Sequence, residues 1–323
     1  MLLSVIAAVW RVSGRSSKGH QTGGVGIAGM PAAEVAVDES LVRALLEGQH
    51  PDLAGLPLSF LAEGWDNVMF RLGPELLVRL PRREASAQLV LNEQRVLPTL
   101  ASRLPLAVPE PLRVGVAAGD YPWHWHVVRW VPGERAAEGR FEDPVAEAVR
   151  LGSFLAALHQ PAPPDAPTNP YRGVPLVDRD AMTRERVDQL AGIIDAQAAM
   201  SVWEDGLAAR PWAGAPLWLH GDLHPANLIV EAGVIAGVID WGDVTSGDPA
   251  TDLSMAWMLF DGPTRARFRS EIRLEGVEVD DDAWRRARAW AVSLALAYLA
   301  HSADNPTMGS VGQATLAEVL GEG

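Results

Sequence analysis

The chain contains no cysteine. Disulfide frameworks, thiolate-bound zinc, iron–sulfur clusters and thiol nucleophiles are therefore excluded. Lysine is almost as scarce. Of 27 Lys and Arg residues, Lys18 is the only lysine. A Walker A loop needs a lysine in a glycine-rich context and a Schiff base needs one in the folded body, so neither is available. Positive charge is short overall: 41 acidic residues leave a net charge of −14. No basic surplus exists to neutralise nucleic-acid phosphates or to dock on an anionic membrane. Long apolar runs are missing too. Met1–Trp10 and Ala289–Ala300 both fall short of the ~20 residues that cross a bilayer. These absences predict a cytoplasmic protein that binds neither nucleic acid nor membrane.

What is present is a large apolar inventory. With 48% hydrophobic residues in 323, the chain can bury a sizeable core. At roughly 150 residues per domain the expectation is two domains. Residues 1–29 read as a disordered tail or an upstream extension, with Met30 as the natural start. Gly24–Gly29 matches G-x-G-x-x-G, but no strand precedes it and Pro31 follows, so it reads as flexible tail.

Periodicity predicts a short helix over 39–49, then strands at Leu58–Glu63, Val68–Leu72, Leu76–Leu80 and Val127–Val131. Gly73-Pro74-Glu75 is a hairpin signal, and Ala85–Ser102 has helical spacing. After Pro132-Gly133 the pattern turns helical: Asp143–Gln160 opened by Asp143-Pro144, Arg184–Trp203, Thr264–Ile272, Asp280–Ala303 and Gln313–Leu320. Trp218–Asp243 reads as short strands and loops. The expected fold is α+β in two lobes: a small β-rich lobe over 30–131 and a larger, mostly helical lobe over 132–323.

The segment richest in chemistry is His220-Gly221-Asp222 followed by Asn227, with Ile239-Asp240-Trp241-Gly242-Asp243 and Gly247-Asp248-Pro249 behind it. Asp222 and Asn227 have the D-x-x-x-x-N spacing of a kinase catalytic loop. Phosphoryl transfer needs a carboxylate that orients the attacking hydroxyl and takes its proton. It also needs an amide and a second carboxylate to hold Mg²⁺, a hard cation that prefers oxygen. A hairpin between Val230 and Val234 folds Asn227 and Asp240 toward one site.

These motifs resemble the signature of the aminoglycoside phosphotransferase-like family, small-molecule kinases with the protein-kinase-like fold. The resemblance extends more weakly over about 55–300. It implies Asp222 as catalytic base and Asn227 and Asp240 as Mg²⁺ ligands. His220 and Asp248 brace the catalytic loop. Gly64 to Asn67 forms the nucleotide-loop turn, Glu93 orients the phosphate-binding cation, and Trp130 and Val131 lie in the interlobe hinge beside the nucleotide. The family's third-strand lysine is absent, and Arg79 stands there. Arginine keeps the charge and binds phosphate bidentately, with a different reach. On its strand Arg79 either points to solvent or serves the phosphates. Glu93 likewise is either a solvent-facing helix residue or the partner of that cation. His224 is assigned no chemistry. Trp203, Trp212, Trp257, Trp284 and Trp290 are expected in packing.

The implied reaction is ATP- or GTP-dependent, Mg²⁺-dependent transfer to a hydroxyl of a small molecule. An antibiotic comes first, aminoglycoside before macrolide; an endogenous sugar or amino alcohol is the alternative. The rival class is a nucleotide-binding protein without catalysis. Acidic residues outnumber arginines from Trp203 onward. That surplus is either a solvated face or an attraction for a cationic acceptor.

Overall fold

The computed structural model describes residues 29–274 and 279–321. Apart from Gly29, the expected tail and its glycine pattern lie outside these residues.

Helix α1 (Glu39–Gln49) begins where the Asp38 carboxylate accepts the Leu41 amide, and it buries Val42, Leu45 and Leu46. Strands β1 (Leu58–Glu63), β2 (Asn67–Leu72) and β3 (Leu76–Pro81) form an antiparallel meander. Gly73 turns the β2–β3 hairpin at φ +59°, a left-handed conformation that suits glycine. Helix α2 (Glu84–Leu100) follows, then β4 (Pro111–Gly115) and β5 (Trp125–Arg129). The sheet order is β1-β2-β3-β5-β4, antiparallel throughout.

Side-chain alternation gives this sheet two different faces. Val68, Phe70, Leu72, Val78, Leu80, Trp125 and Val127 pack against α1 in one cluster. On the opposite face Met69, Arg79 and His126 lie in one cross-strand row. Strand β4 carried no sequence signal, because Pro111 and Gly115 weaken a strand pattern. It is an edge strand, where proline is tolerated. Gly115 is required there: a Cβ would come within 2.0 Å of the Trp125 ring. The strand expected over 127–131 starts and ends two residues earlier. Trp130 nevertheless continues the pairing, its amide donating to Glu75 O at 2.7 Å.

The large lobe opens with β6 (Glu134–Arg135) and α3 (Pro144–Leu158). Asp143 caps α3 by accepting the Val145 and Ala146 amides, with Pro144 at the first turn, as the spacing predicts. The single helix expected over 184–203 is two helices, α4 (Asp180–Leu190) and α5 (Ala196–Ala208). Asp195 accepts the Ala198 amide and restarts the helix as a cap, a competition that apolar spacing does not reveal.

Strands β7 (Leu217–Leu219), β8 (Leu228–Glu231), β9 (Val234–Val238) and β10 (Thr245–Gly247) follow. β8 and β9 are the predicted hairpin, turned by Ala232 and Gly233 at φ +50° and +80°. The chain finishes with α6 (Ala250–Leu253), α7 (Ala256–Leu259), α8 (Gly262–Leu274), α9 (Asp281–Ala300) and α10 (Pro306–Gly321). Asp280 caps α9 as expected. α10 starts well before the expected Gln313, where the Asn305 side chain accepts the Met308 amide.

The main core is built around α9, which packs against α4, α5, α6 and α10. Trp203, Trp257, Trp284 and Trp290 are buried in it. Trp212 is not; it folds back so that its indole N–H donates to Ala215 O. The cores do not divide at residue 131 as expected. Val96, Leu97 and Leu100 of α2 belong to the large-lobe core, and Ala107 pairs with Gly237 beside β9. α2 thus crosses between lobes with its charged residue Glu93 midway.

Candidate active site

Asp222 lies on the loop between β7 and β8. Gly221 has φ +87°, and a Cβ there would meet Asp243 O at 2.3 Å, so the loop closes only over glycine. The His220 ring joins two loops. Its Nε2–H donates to Ile239 O at 3.0 Å, and its Nδ1 accepts the Asp222 amide at 3.3 Å. These partners define a neutral imidazole with the proton on Nε2. Burial pushes its pKa down as well. The ring also packs against Trp241, with centroids 4.7 Å apart.

Asp252 completes the brace. Its carboxylate accepts the His220 amide at 2.8 Å and the Gly221 amide at 2.9 Å, and it meets His159 Nε2 at 3.2 Å. Asp248, the residue expected in this role, lies elsewhere. Asp248 instead forms a two-pronged pair with Arg286 of α9 at 2.7 and 3.2 Å. Aspartates in the same Gly-Asp-Pro-Ala-Thr-Asp run compete for the role, and only the turn into α6 places Asp252 under the loop.

The Asp222 carboxylate is partly exposed. Burial would raise its pKa, but Arg172 at 3.0 Å and His224 at 3.4 Å hold it below the ordinary aspartate range. It is therefore ionised at neutral pH. Asn227 Nδ2 donates to Asp222 O at 2.9 Å, and Asn227 O accepts the Ile239 amide at 2.9 Å. The hairpin thus sets Asn227 beside both Asp222 and the residue preceding Asp240.

Asp240 sits at φ +62°, an unusual conformation for a residue other than glycine, and its side chain is 54% exposed. Its Oδ1 accepts from Arg79 Nη2 at 2.9 Å. Arg79 Nη1 reaches both Glu93 oxygens at 2.9 Å. Arg79 is therefore buried in an ion-pair network, and the solvent-facing alternative is excluded for both Arg79 and Glu93. Burial pushes Glu93 up to about 7 despite the guanidinium. His126, which carried no sequence signal, lies 3.3 Å from Glu93. Burial and Arg79 keep its pKa well below the usual value, so it is neutral.

Asn227 and Asp240 fit a magnesium ion. Among the described residues no group of three or more His, Asp or Glu side chains is gathered as a protein-only metal cage. Mg²⁺ instead takes one or two protein oxygens and fills its remaining positions with phosphate and water. An exposed carboxylate and an amide on adjacent loops match that habit.

The other expected residues are placed as follows. The Gly64 amide donates to Asn67 O at 2.9 Å, closing the turn. Trp65 in that turn meets the ring of His301 from the large lobe at 5.7 Å. Trp130 and Val131 link the lobes, with the Arg71 guanidinium over the Trp130 ring at 4.1 Å. Neither hinge residue is in the Arg79 network.

Between the lobes lies a cleft of about 540 Å³, lined by Trp65 and Asp66 above and by Asn169, Arg172 and Asp243 below. Arg172 had no sequence signal, since nothing in its proline-rich loop announces a partner for Asp222. Asn169 donates to Asp243 at 2.6 Å. Burial pushes Asp243 up to about 6, with Arg172 opposing and Asp222 adding to the rise.

Residues 57–290 match the phosphotransferase enzyme family. Viomycin phosphotransferase of Streptomyces vinaceus is 30% identical over 208 residues, 57% of this chain and 67% of that protein. The GDP and kanamycin complex of APH(2″)-IIIa superposes with a TM-score of 0.67 at 19% identity, covering 87% of this chain and 98% of that one. Macrolide 2′-phosphotransferase type I gives 0.60 at 20% identity, covering 88% and 98%. At these identities the two structures speak to the fold, which is the two-lobe α+β architecture described above. With that architecture and a match spanning most of its length, the chain belongs to the phosphotransferase enzyme family.

Proposed function

We propose that this protein transfers the γ-phosphoryl group of ATP or GTP, with Mg²⁺, to a hydroxyl of a small molecule in the cytoplasm. The observation that carries this reading is an ionised Asp222 tied to Asn227, which also holds the residue before Asp240, with Arg79 paired to Asp240 from the facing sheet.

In the step, the acceptor oxygen forms a bond to the γ-phosphorus. Asp222 takes the hydroxyl proton, and the bond from phosphorus to the bridging oxygen breaks, releasing the nucleoside diphosphate. His220 and Asp252 keep Asp222 in place, and Arg172 keeps it ionised. Arg79 faces the phosphates from the small lobe, oriented in advance by Glu93. Gly64 and Asn67 close over the nucleotide, and Trp130 and Val131 flank its base. Mg²⁺, bound through Asn227 and Asp240, supplies charge against the triphosphate.

The relatives' names put antibiotics first among acceptors, aminoglycosides before macrolides. An endogenous hydroxyl compound, a sugar derivative or amino alcohol, is the second reading; the arginines that line the cleft favour one that also carries an anionic group. The test is a thermal shift with ATP and GTP, with and without Mg²⁺, then diphosphate release over an acceptor panel. A Mg²⁺-dependent shift and release with one acceptor is the expected result. A shift with no release over a broad panel would leave a nucleotide-binding protein without catalysis.

A further inference from the structure

We propose that the acceptor carries an anionic group, a carboxylate or a phosphate monoester, seated on Arg172, Arg179 and Arg186 beside Asp222. The proposal rests on the phosphotransferase reading and, within it, favours the second acceptor class over a polycationic aminoglycoside.

The three arginines line the same cleft. Arg179 is 3% exposed, at the end of the short 3₁₀ turn Leu176–Arg179. No carboxylate lies within ion-pair distance of it among the described residues. Its contacts are Met182 Sδ at 3.3 Å and the face of Tyr171 at 5.4 Å. Its Nε is buried without a hydrogen-bond partner. Arg186 of α4 also lacks an ion pair among the described residues, and its Nη1 is buried and unpartnered. Arg172 spends Nη2 on Asp222 and Nη1 on Tyr171 O but leaves Nε unpartnered.

Elsewhere among the described residues, buried arginines are matched. Arg79 has Glu93 and Asp240, Arg286 has Asp248, and Arg265 has Glu318. An unmatched buried charge is costly unless something neutralises it. Burial and the neighbouring arginines pull Arg179 down to about 10, and burial with Arg172, opposed by Glu185, lowers Arg186. The acids in the lining do not offset this. Asp66 is taken by Ser86 and Arg83, and Asp243, hydrogen-bonded to Asn169, acts on Arg172 but not on Arg179 or Arg186. A polycationic acceptor entering the cleft would meet like charge. A carboxylate or phosphate would be offered the donors that are now unused, in the fork geometry that guanidinium provides.

The test uses the full chain with saturating Mg²⁺ and ATP. Four acceptors are compared: D-glucose, D-gluconate, D-glucose 6-phosphate and kanamycin. At least one of the two anions is expected to exceed glucose and kanamycin in kcat/KM by about tenfold, the scale of a charge-assisted hydrogen bond. Which anion is preferred separates carboxylate from phosphate. Arg179→Ala and Arg186→Ala should each raise the KM for that acceptor about tenfold, with the KM for ATP within about twofold of wild type. Arg179→Lys should recover part of the loss, which separates charge from packing. Best turnover with kanamycin, or unchanged acceptor KM in both alanine variants, overturns the proposal. So does an effect confined to the KM for ATP, which would make these arginines nucleotide ligands. If no acceptor yields ADP, calorimetry of gluconate and glucose 6-phosphate binding to enzyme loaded with Mg²⁺ and AMP-PNP decides. Binding that disappears in Arg186→Ala keeps the anion site while phosphoryl transfer fails. No binding of either anion overturns the site itself.

Discussion

Arg79 on the sheet and the arginines that line the cleft below it are treated by the fold in opposite ways. On the sheet, Arg79 is clamped by Glu93 and Asp240 at 2.9 Å each. Below, Arg179 and Arg186 are left without ion-pair partners among the described residues, although Arg179 is as deeply buried as Arg79. A clamped cation has its geometry decided before any ligand arrives, which is what positioning a phosphoryl group requires. An unclamped one keeps its donors free, at a cost in stability, for a ligand that brings the opposite charge. Arg172 stands between the two, half committed to Asp222.

Asp222 is the carboxylate that Arg172 holds, and its loss has the largest expected effect. Asp222→Ala and Asp222→Asn should lower kcat by about 10³-fold or more while nucleotide binding persists. Near-normal turnover in either variant removes Asp222 as the base. Asp240→Ala comes next: Mg²⁺-dependent nucleotide binding should disappear, and Asn227→Ala should weaken it less. Unchanged Mg²⁺ titrations of Asp240→Ala would separate it from the metal.

The clearest contrast is between Arg79→Ala and Arg186→Ala. Truncating Arg79 strands a buried Glu93 and should cost about 3–5 kcal/mol of stability, with weaker ATP binding and lower kcat. Glu93 already has a folded pKa raised from 4.5 to about 7, so its ionisation opposes folding as pH rises through that window. Without the guanidinium the window extends upward. The deficit should therefore be larger at pH 8 than at pH 6 in paired denaturant titrations. Arg79→Lys should keep part of the activity, and Arg79→Gln should behave like alanine. Arg186→Ala, in contrast, should leave Tm unchanged or slightly raised, because it removes a charge that lacks an ion pair. Equal destabilisation by the two variants would break the comparison.

A small, pH-dependent effect concerns Asp243. Its folded pKa is raised from 3.8 to about 6, mainly by burial, so its ionisation also costs stability as pH rises between those values. Asp243→Asn should raise Tm by about 1–2 °C at pH 8. The gain should fade as pH drops toward 4. A gain independent of pH would remove the carboxylate charge as its cause.

Local pattern carried much of the architecture. Asp143-Pro144 and Asp280 announced their helices because capping is a contact within a few residues. Gly73 marked its hairpin because only a left-handed turn fits so short a connection. β4 was illegible, since Pro111 and Gly115 suit an edge beside Trp125 but erase the strand signature. The break at Asp195 was hidden because side-chain capping overrode a continuing apolar period.

In the site the same division holds. Residue identity alone limits which groups can act. With no cysteine and no lysine in the described residues, Asp222, Asn227 and Asp240 remain as the oxygen groups at catalytic spacing, and Arg79 as the cation on its strand. Tertiary structure decided which charges are matched. Glu93 meets Arg79 across a strand and a helix, Asp252 rather than Asp248 reaches the loop at His220, and Arg172 crosses from a proline-rich loop to Asp222. Ion pairing depends on distances of a few ångströms between residues far apart in the chain. No local spacing records those distances, so the unmatched state of Arg179 and Arg186 belongs to the fold alone.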